Sequence, residues 1–144
     1  MLLQRNLQRV NFLKKVPLFS NLSQRHLREI SKHADELQVE TGEVLAKQGA
    51  TGLEFFFIIE GKAKVEKNGK FIRQLSGGDF FGEIALIDGK RRAATVTAET
   101  DMTVLIVYKK SFSHLLDTIP GLQEKVLLAL CDYVRRAEEA IDKE

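Results

Sequence analysis

The sequence predicts an α+β chain: an antiparallel β-roll of jelly-roll type with helices before and after it. Three observations carry that prediction. Apolar residues recur at helical spacing over residues 1–34. Between about 35 and 109 the chain breaks into short β-rich runs separated by glycine turns. From Lys110 the helical spacing returns, and after Pro120-Gly121 it continues to the end without a breaker.

In the first segment, Leu3, Leu7, Val10 and Leu13 lie on one side of a helix, with Arg5, Arg9, Lys14 and Lys15 elsewhere on its turns; Pro17 ends it. Such a basic amphipathic helix can lie on a membrane surface, but an apolar stripe packed against protein is the simpler reading. A second helix opens at Ser23 as N-cap, with Leu27, Ile30 and Ala34 as its inner face.

The run "ELQVETGEVLAKQG" alternates around Gly42, and "LEFFFIIEGKAKVEKNGKFIRQL" reads as strands broken at Glu60-Gly61 and Asn68-Gly69. Asn-Gly between alternating residues is a strong hairpin signal. "AATVTAET" and "DMTVLIVYKK" are expected to pair, turning near Thr100-Asp101. "SFSHLLDTI" is a short helix, and the final helix carries Leu127, Leu130, Val134, Ala137 and Ile141 at 3,4 spacing, an a/d seam of barely two heptads. That helix is expected to pack on the β-roll and to offer its seam to a protein partner or a second copy.

At 144 residues, 44% apolar and 29% charged, the chain suits one domain, 1–144, with a core of its own. A formal charge of +2 does not by itself argue for nucleic acid, and the basic clusters at 5–15 and 135–136 are too sparse for it. No apolar run reaches the ~20 residues that span a bilayer, so no membrane insertion is expected. One cysteine, Cys131, permits no intrachain disulfide, which fits a reducing compartment; a cytoplasmic address is expected. A cupin-type metalloenzyme would need clustered histidines, whereas His26, His33 and His114 all fall outside the predicted strands. No metal and no catalytic residues are expected.

The chemistry concentrates in "GDFFGEIALIDGKRRAATVTA", residues 78–98. Gly82 to Ile87 can form a turn and a half of helix whose first N–H groups face an anion. Gly82 lets that anion approach the backbone. Arg92 can return a guanidinium to it, and the small Ala93 and Ala94 leave room. Glu83, an acceptor-only group, suits a neutral hydroxyl rather than a phosphate. Phosphate for one and hydroxyl for the other describes a nucleotide. Residue type and spacing leave a second reading open, a structural Glu83–Arg92 salt bridge with the glycines serving β-turns.

The segment resembles the phosphate-binding cassette of the cyclic nucleotide-binding domain family, which includes catabolite activator proteins and regulatory subunits of cAMP-dependent protein kinases. The shared pattern is Phe81, Gly82, Glu83, Ile84, Ala85 and Leu86, a five-residue loop, then Arg92, Ala93, Ala94, Thr95 and Val96. "QGATGLEFFFIIEG" resembles the family's upstream glycine motif, departing at Ala46 and Ala50. The likeness extends over about residues 16–136, with the cassette at 80–96 and the hinge and C-terminal helices within 110–144.

The resemblance implies ligand contacts at Phe81, Gly82, Glu83, Ile84, Ala85, Arg92, Ala93 and Ala94. In it Glu83 takes the ribose 2′-OH and Arg92 the cyclic phosphate, aided by backbone N–H groups near Ala85 and Ala93. Lys90 and Arg91 are loop cations. Ala93 lacks the hydroxyl with which many cGMP-binding members meet guanine, which implies cAMP, with cGMP the alternative. Tyr133 is the aromatic available to cap the base from the last helix, with Val134, Arg135 and Arg136 as rivals. Leu86 is the expected coupling residue, repacking against the helices after Lys110 so that the C-terminal helix swings over the ligand. The expected function is a stand-alone cyclic nucleotide sensor, no helix-turn-helix following the long helix. The alternative is a regulatory piece of a kinase, channel or transcription regulator.

Overall fold

The computed structural model describes residues 2–142. The chain forms two compact units: a helical one, residues 1–32 and 114–144, and a β-roll, residues 33–113.

In the helical unit, α1 spans Leu2–Lys14 and α2 spans Gln24–Lys32, separated by a 3-10 turn at Pro17–Phe19. Val10 and Leu13 are buried as the spacing requires, but Leu7 is half exposed; the Leu3 and Arg5 side chains lie outside the described residues. Ser23 caps α2, its hydroxyl accepting from the His26 N–H at 3.2 Å. Leu27 and Ile30 are buried as expected, whereas Ala34 is not helical: it begins the first strand. α4 (Lys109–Thr118) carries the chain out of the β-roll, and α5 (Leu122–Asp142) follows. On α5 the buried positions are Leu122, Val126 and Ala129, one face of the helix. The predicted seam lies elsewhere on its surface, with Leu127, Val134 and Ile141 exposed and Leu130 half-buried.

The β-roll is two four-stranded antiparallel sheets. One has the order β1 (Ala34–Val39), β8 (Met102–Tyr108), β3 (Glu54–Glu60), β6 (Phe80–Phe81). The other runs β2 (Val44–Ala46), β7 (Thr95–Ala98), β4 (Lys62–Lys67), β5 (Lys70–Ser76). Phe56, Ile58, Val104 and Ile106 of the first sheet meet Val65, Leu75, Val96 and Ala98 of the second in one core. Each of these but the small Ala98 contributes about 1.5–3 kcal/mol when taken out of water. β3 and β8 carry unbroken buried runs, Phe55–Ile58 and Met102–Val107, because both of their faces are covered.

The Asn68-Gly69 hairpin forms as expected, with both residues at positive φ, 53° and 78°, as a two-residue primed turn requires. The expected pairing of "AATVTAET" with "DMTVLIVYKK" does not occur. β7 and β8 belong to different sheets, and the turn at Thr100-Asp101 crosses between them. Asp101 holds that corner, accepting from the Thr41 N–H and hydroxyl at 3.0 Å each. These bonds hold its carboxyl below the usual carboxylate range.

Candidate functional site

Between β6 and β7 the chain makes a four-residue helix, α3 (Ala85–Asp88), ended by Gly89 in the left-handed conformation. The helix is shorter than the sequence suggested, since Gly82 to Ile84 form the turn leading into it. The N–H of Ala85 donates to the Gly82 carbonyl at 3.1 Å and that of Leu86 to Glu83 at 3.3 Å. Leu86 is buried at 1% exposure. Lys109, the first residue of α4, donates its ammonium to the carbonyls of Ile87 at 2.9 Å and Leu86 at 3.4 Å, closing the end of α3.

The segment after α3 is fixed from the other side by the glycine loop at 49–52. Arg92 N–H donates to Ala50 at 2.7 Å, Gly49 N–H to Arg92 at 2.9 Å, and Gly52 N–H to Lys90 at 2.9 Å. Three cations in succession therefore take different directions. Arg91 donates to the Gly49 carbonyl, 2.9 Å away, and Lys90 is exposed, both at the rim of the site. Arg92 alone of the three folds inward, its side chain 9% exposed.

Arg92 is held by β3. Its Nη2 donates to the carbonyl of Glu54 at 2.5 Å and lies 3.5 Å from that residue's carboxylate. Its guanidinium carbon stands 6.0 Å from the Phe56 ring centroid, and Phe56 stacks on Phe81 at 4.7 Å. This placement changes the reason for Gly82. A Cβ there would run into Arg92 Nη1 and come within 2.8 Å of the Glu54 carbonyl. The missing side chain makes room for the arginine, where the sequence suggested room for the anion.

These parts surround one open cavity of about 370 Å³. Phe81, Gly82, Glu83, Ile84, Ala85, Arg92, Ala93 and Ala94 all line it, so every contact residue expected in the β-roll is brought to one place. Val65, Leu75 and Val96 give it an apolar wall. Arg73 on β5 and Glu54 beside Arg92 escaped the sequence reading. Arg73 had a legible signal only in lying two residues from the buried Leu75, hence on the same face of the strand; Glu54 had none. Tyr133 lies half-buried on α5, in the helical unit. Among the described residues, no group of three or more His, Cys, Asp or Glu is placed to hold a metal ion, and no helix is long and apolar enough to cross a membrane.

The β-roll thus closes a glycine-rich cassette around a nearly buried arginine. The sequence model described as cyclic nucleotide-binding domain matches residues 36–119, and the chain belongs to that family. The chain is 37% identical over 123 residues to a cAMP-dependent protein kinase regulatory subunit of Mycosarcoma maydis, across 79% of this chain and 23% of that protein. It is 33% identical to a cGMP-dependent protein kinase, isozyme 2, of Drosophila melanogaster, across 80% of this chain and 13% of that protein. It thus spans less than a quarter of either relative. Among solved structures, the N-terminal domain of a transcriptional regulator from Streptomyces coelicolor shares the fold at a TM-score of 0.82 and 24% identity, covering 90% of this chain and 96% of that one.

Proposed function

We propose that the cavity binds cAMP and that binding is relayed to the C-terminal helices. The observation that carries this reading is the convergence of the eight anticipated residues on one cavity beside a nearly buried arginine. Arg92 uses Nη2 on Glu54, and a guanidinium has five N–H donors; Nε and Nη1 remain to meet the cyclic phosphate. Glu83 accepts from the ribose 2′-OH, and Ala93 and Ala94 give the sugar-phosphate close approach. The purine lies against Val65, Leu75 and Val96, with Tyr133 as the proposed cap.

The relay begins at α3. Leu86 is its buried anchor and Lys109 ties its last carbonyls to the first turn of α4. A ligand that draws the cassette inward pulls on both. The shift available is the ligand's differential affinity for the two states, typically about 1–3 kcal/mol. Acting alone in the cytoplasm or inside a larger regulatory protein, the module uses the same step. The exposed Leu127, Val134 and Ile141 of α5 are the proposed face for a protein partner or a second copy.

One observation favours cGMP as a second reading. Arg73 enters the cavity as a donor-only group, and guanine presents two acceptors, N7 and O6, where adenine presents one acceptor and one donor. Titration calorimetry with cAMP, cGMP and 2′-deoxy-cAMP tests the ribose and base contacts. The account expects cAMP to bind and its 2′-deoxy analogue to bind about tenfold more weakly. Equal affinity for those two removes Glu83 from the ribose, and tighter binding of cGMP selects the second reading.

A further inference from the structure

The β4–β5 hairpin carries side chains that neither the core nor the nucleotide cavity uses. Lys67 and Lys70 are direct cross-strand partners on the two sides of the Asn68-Gly69 turn. Like charges placed opposite one another repel, and nothing in the turn chemistry asks for them. Lys62 and Lys64 add positive charge on the other face of β4, the one that Phe71 shares, where Glu66 is the strand's sole acid, 3.4 Å from Lys64.

The strand also bulges. Val65 pairs with Arg73 and Glu66 with Phe71, leaving Ile72 as the extra residue. Val65 is buried, so Arg73 turns to the cavity and Phe71 to the opposite face. Phe71 is 62% exposed and Ile72 55%, side by side on the outermost strand of the sheet. The hairpin is held in shape before it meets anything. The Gln48 amide donates to the Asn68 side chain at 2.8 Å and accepts from the Asn68 N–H at 2.9 Å.

A lysine and a bulge on an edge strand ordinarily prevent pairing with another strand. That explains Lys70 of β5 and argues against a β-strand partner, but it leaves the lysines of β4 and the exposed phenylalanine without a purpose. A negatively charged surface with an apolar layer beneath it accounts for both. We propose that residues 62–73 dock on an anionic lipid surface. Phe71 and Ile72 enter the boundary between headgroups and acyl chains, and Lys62, Lys64, Lys67 and Lys70 meet lipid phosphates and carboxylates. The attachment is peripheral and independent of the nucleotide reading.

Vesicle sedimentation of the full chain tests this, comparing phosphatidylcholine alone with phosphatidylcholine containing phosphatidylserine. Binding is expected on the anionic vesicles, weaker by about tenfold or more on the neutral ones, and reduced by salt. The double variant Phe71→Ser/Ile72→Ser is expected to lower anionic binding by about tenfold with an unchanged thermal midpoint. Lys67→Glu separates docking from a structural role. It turns a repulsive cross-strand pair into an attractive one, so it should stabilise the hairpin while weakening vesicle binding. No binding to anionic vesicles, equal binding to neutral ones, or binding that survives the Phe71/Ile72 change would overturn the proposal. So would capture of an acidic peptide or a nucleic acid with the vesicles ignored.

Discussion

Arg92 and Glu54 form the tightest polar contact at the cavity: guanidinium to main-chain carbonyl at 2.5 Å, with the Glu54 carboxylate 3.5 Å away. The carbonyl positions the arginine, while the carboxylate competes for it. Glu54→Gln keeps the shape and the carbonyl and removes the charge. An anionic ligand then no longer faces a nearby carboxylate, itself a third exposed and so partly screened. The variant is expected to bind cyclic nucleotide roughly threefold to tenfold more tightly, with a weaker salt dependence; calorimetry at two ionic strengths measures both.

Gly82 has φ +82° and lies directly under the same guanidinium. Gly82→Ala adds backbone strain and displaces Arg92, since the Glu54 carbonyl cannot yield as a flexible side chain would. The expected cost is about 1–3 kcal/mol of stability, read from denaturant unfolding, together with at least tenfold weaker ligand binding. Ala at a position needing only a flexible turn would cost less and leave binding intact.

Arg73 lines the cavity, and the proposed second reading sets it against the base. Arg73→Ala is expected to weaken cGMP binding by about tenfold, the discrimination of a good arginine–guanine pair being ~1–3 kcal/mol, and to change cAMP binding far less. The ratio of the two affinities is the observable, because general loss of positive potential would move both together.

Asp101 gives a prediction in pH. Its folded carboxyl titrates below the ordinary value because Thr41 donates twice to the charged form. A depressed folded pKa contributes stability that is present above the unfolded pKa and lost as pH falls through the folded one. Asp101→Asn should therefore lower the thermal midpoint at pH 7. The gap to the natural chain should narrow below about pH 4. A gap unchanged by acid would mean that the corner depends on shape alone.

The sequence carried most of the site because the cassette is local: glycine, acid, small residues and arginine lie within one stretch and its turns. The Asn68-Gly69 hairpin and the return to helix after Lys110 were legible for the same reason. What escaped was set by distance along the chain. Periodicity identifies β7 and β8 as strands but says nothing of which sheet each joins, so it suggests pairing two chain neighbours that the fold separates. Ala34 satisfied helical spacing from Ile30, yet the pairing of β1 with β8 claims it for a strand. Glu54 and Arg73 come from β3 and β5, and only the closed roll brings Glu54 to Arg92 and Arg73 to the apolar wall. The seam of α5 was legible as a pattern, though its outer residues are solvent-facing.

The central claim is that Arg92 meets the phosphate of a cyclic nucleotide in this cavity. Titration calorimetry of cAMP and cGMP against the natural chain and Arg92→Ala tests it most directly, with circular dichroism to show that the variant folds. The account predicts saturable one-site binding by the natural chain and at least about a hundredfold loss in the variant, as expected when a buried anion loses a bidentate partner. Undiminished affinity in a folded Arg92→Ala, or no binding of either nucleotide by the natural chain, would contradict it.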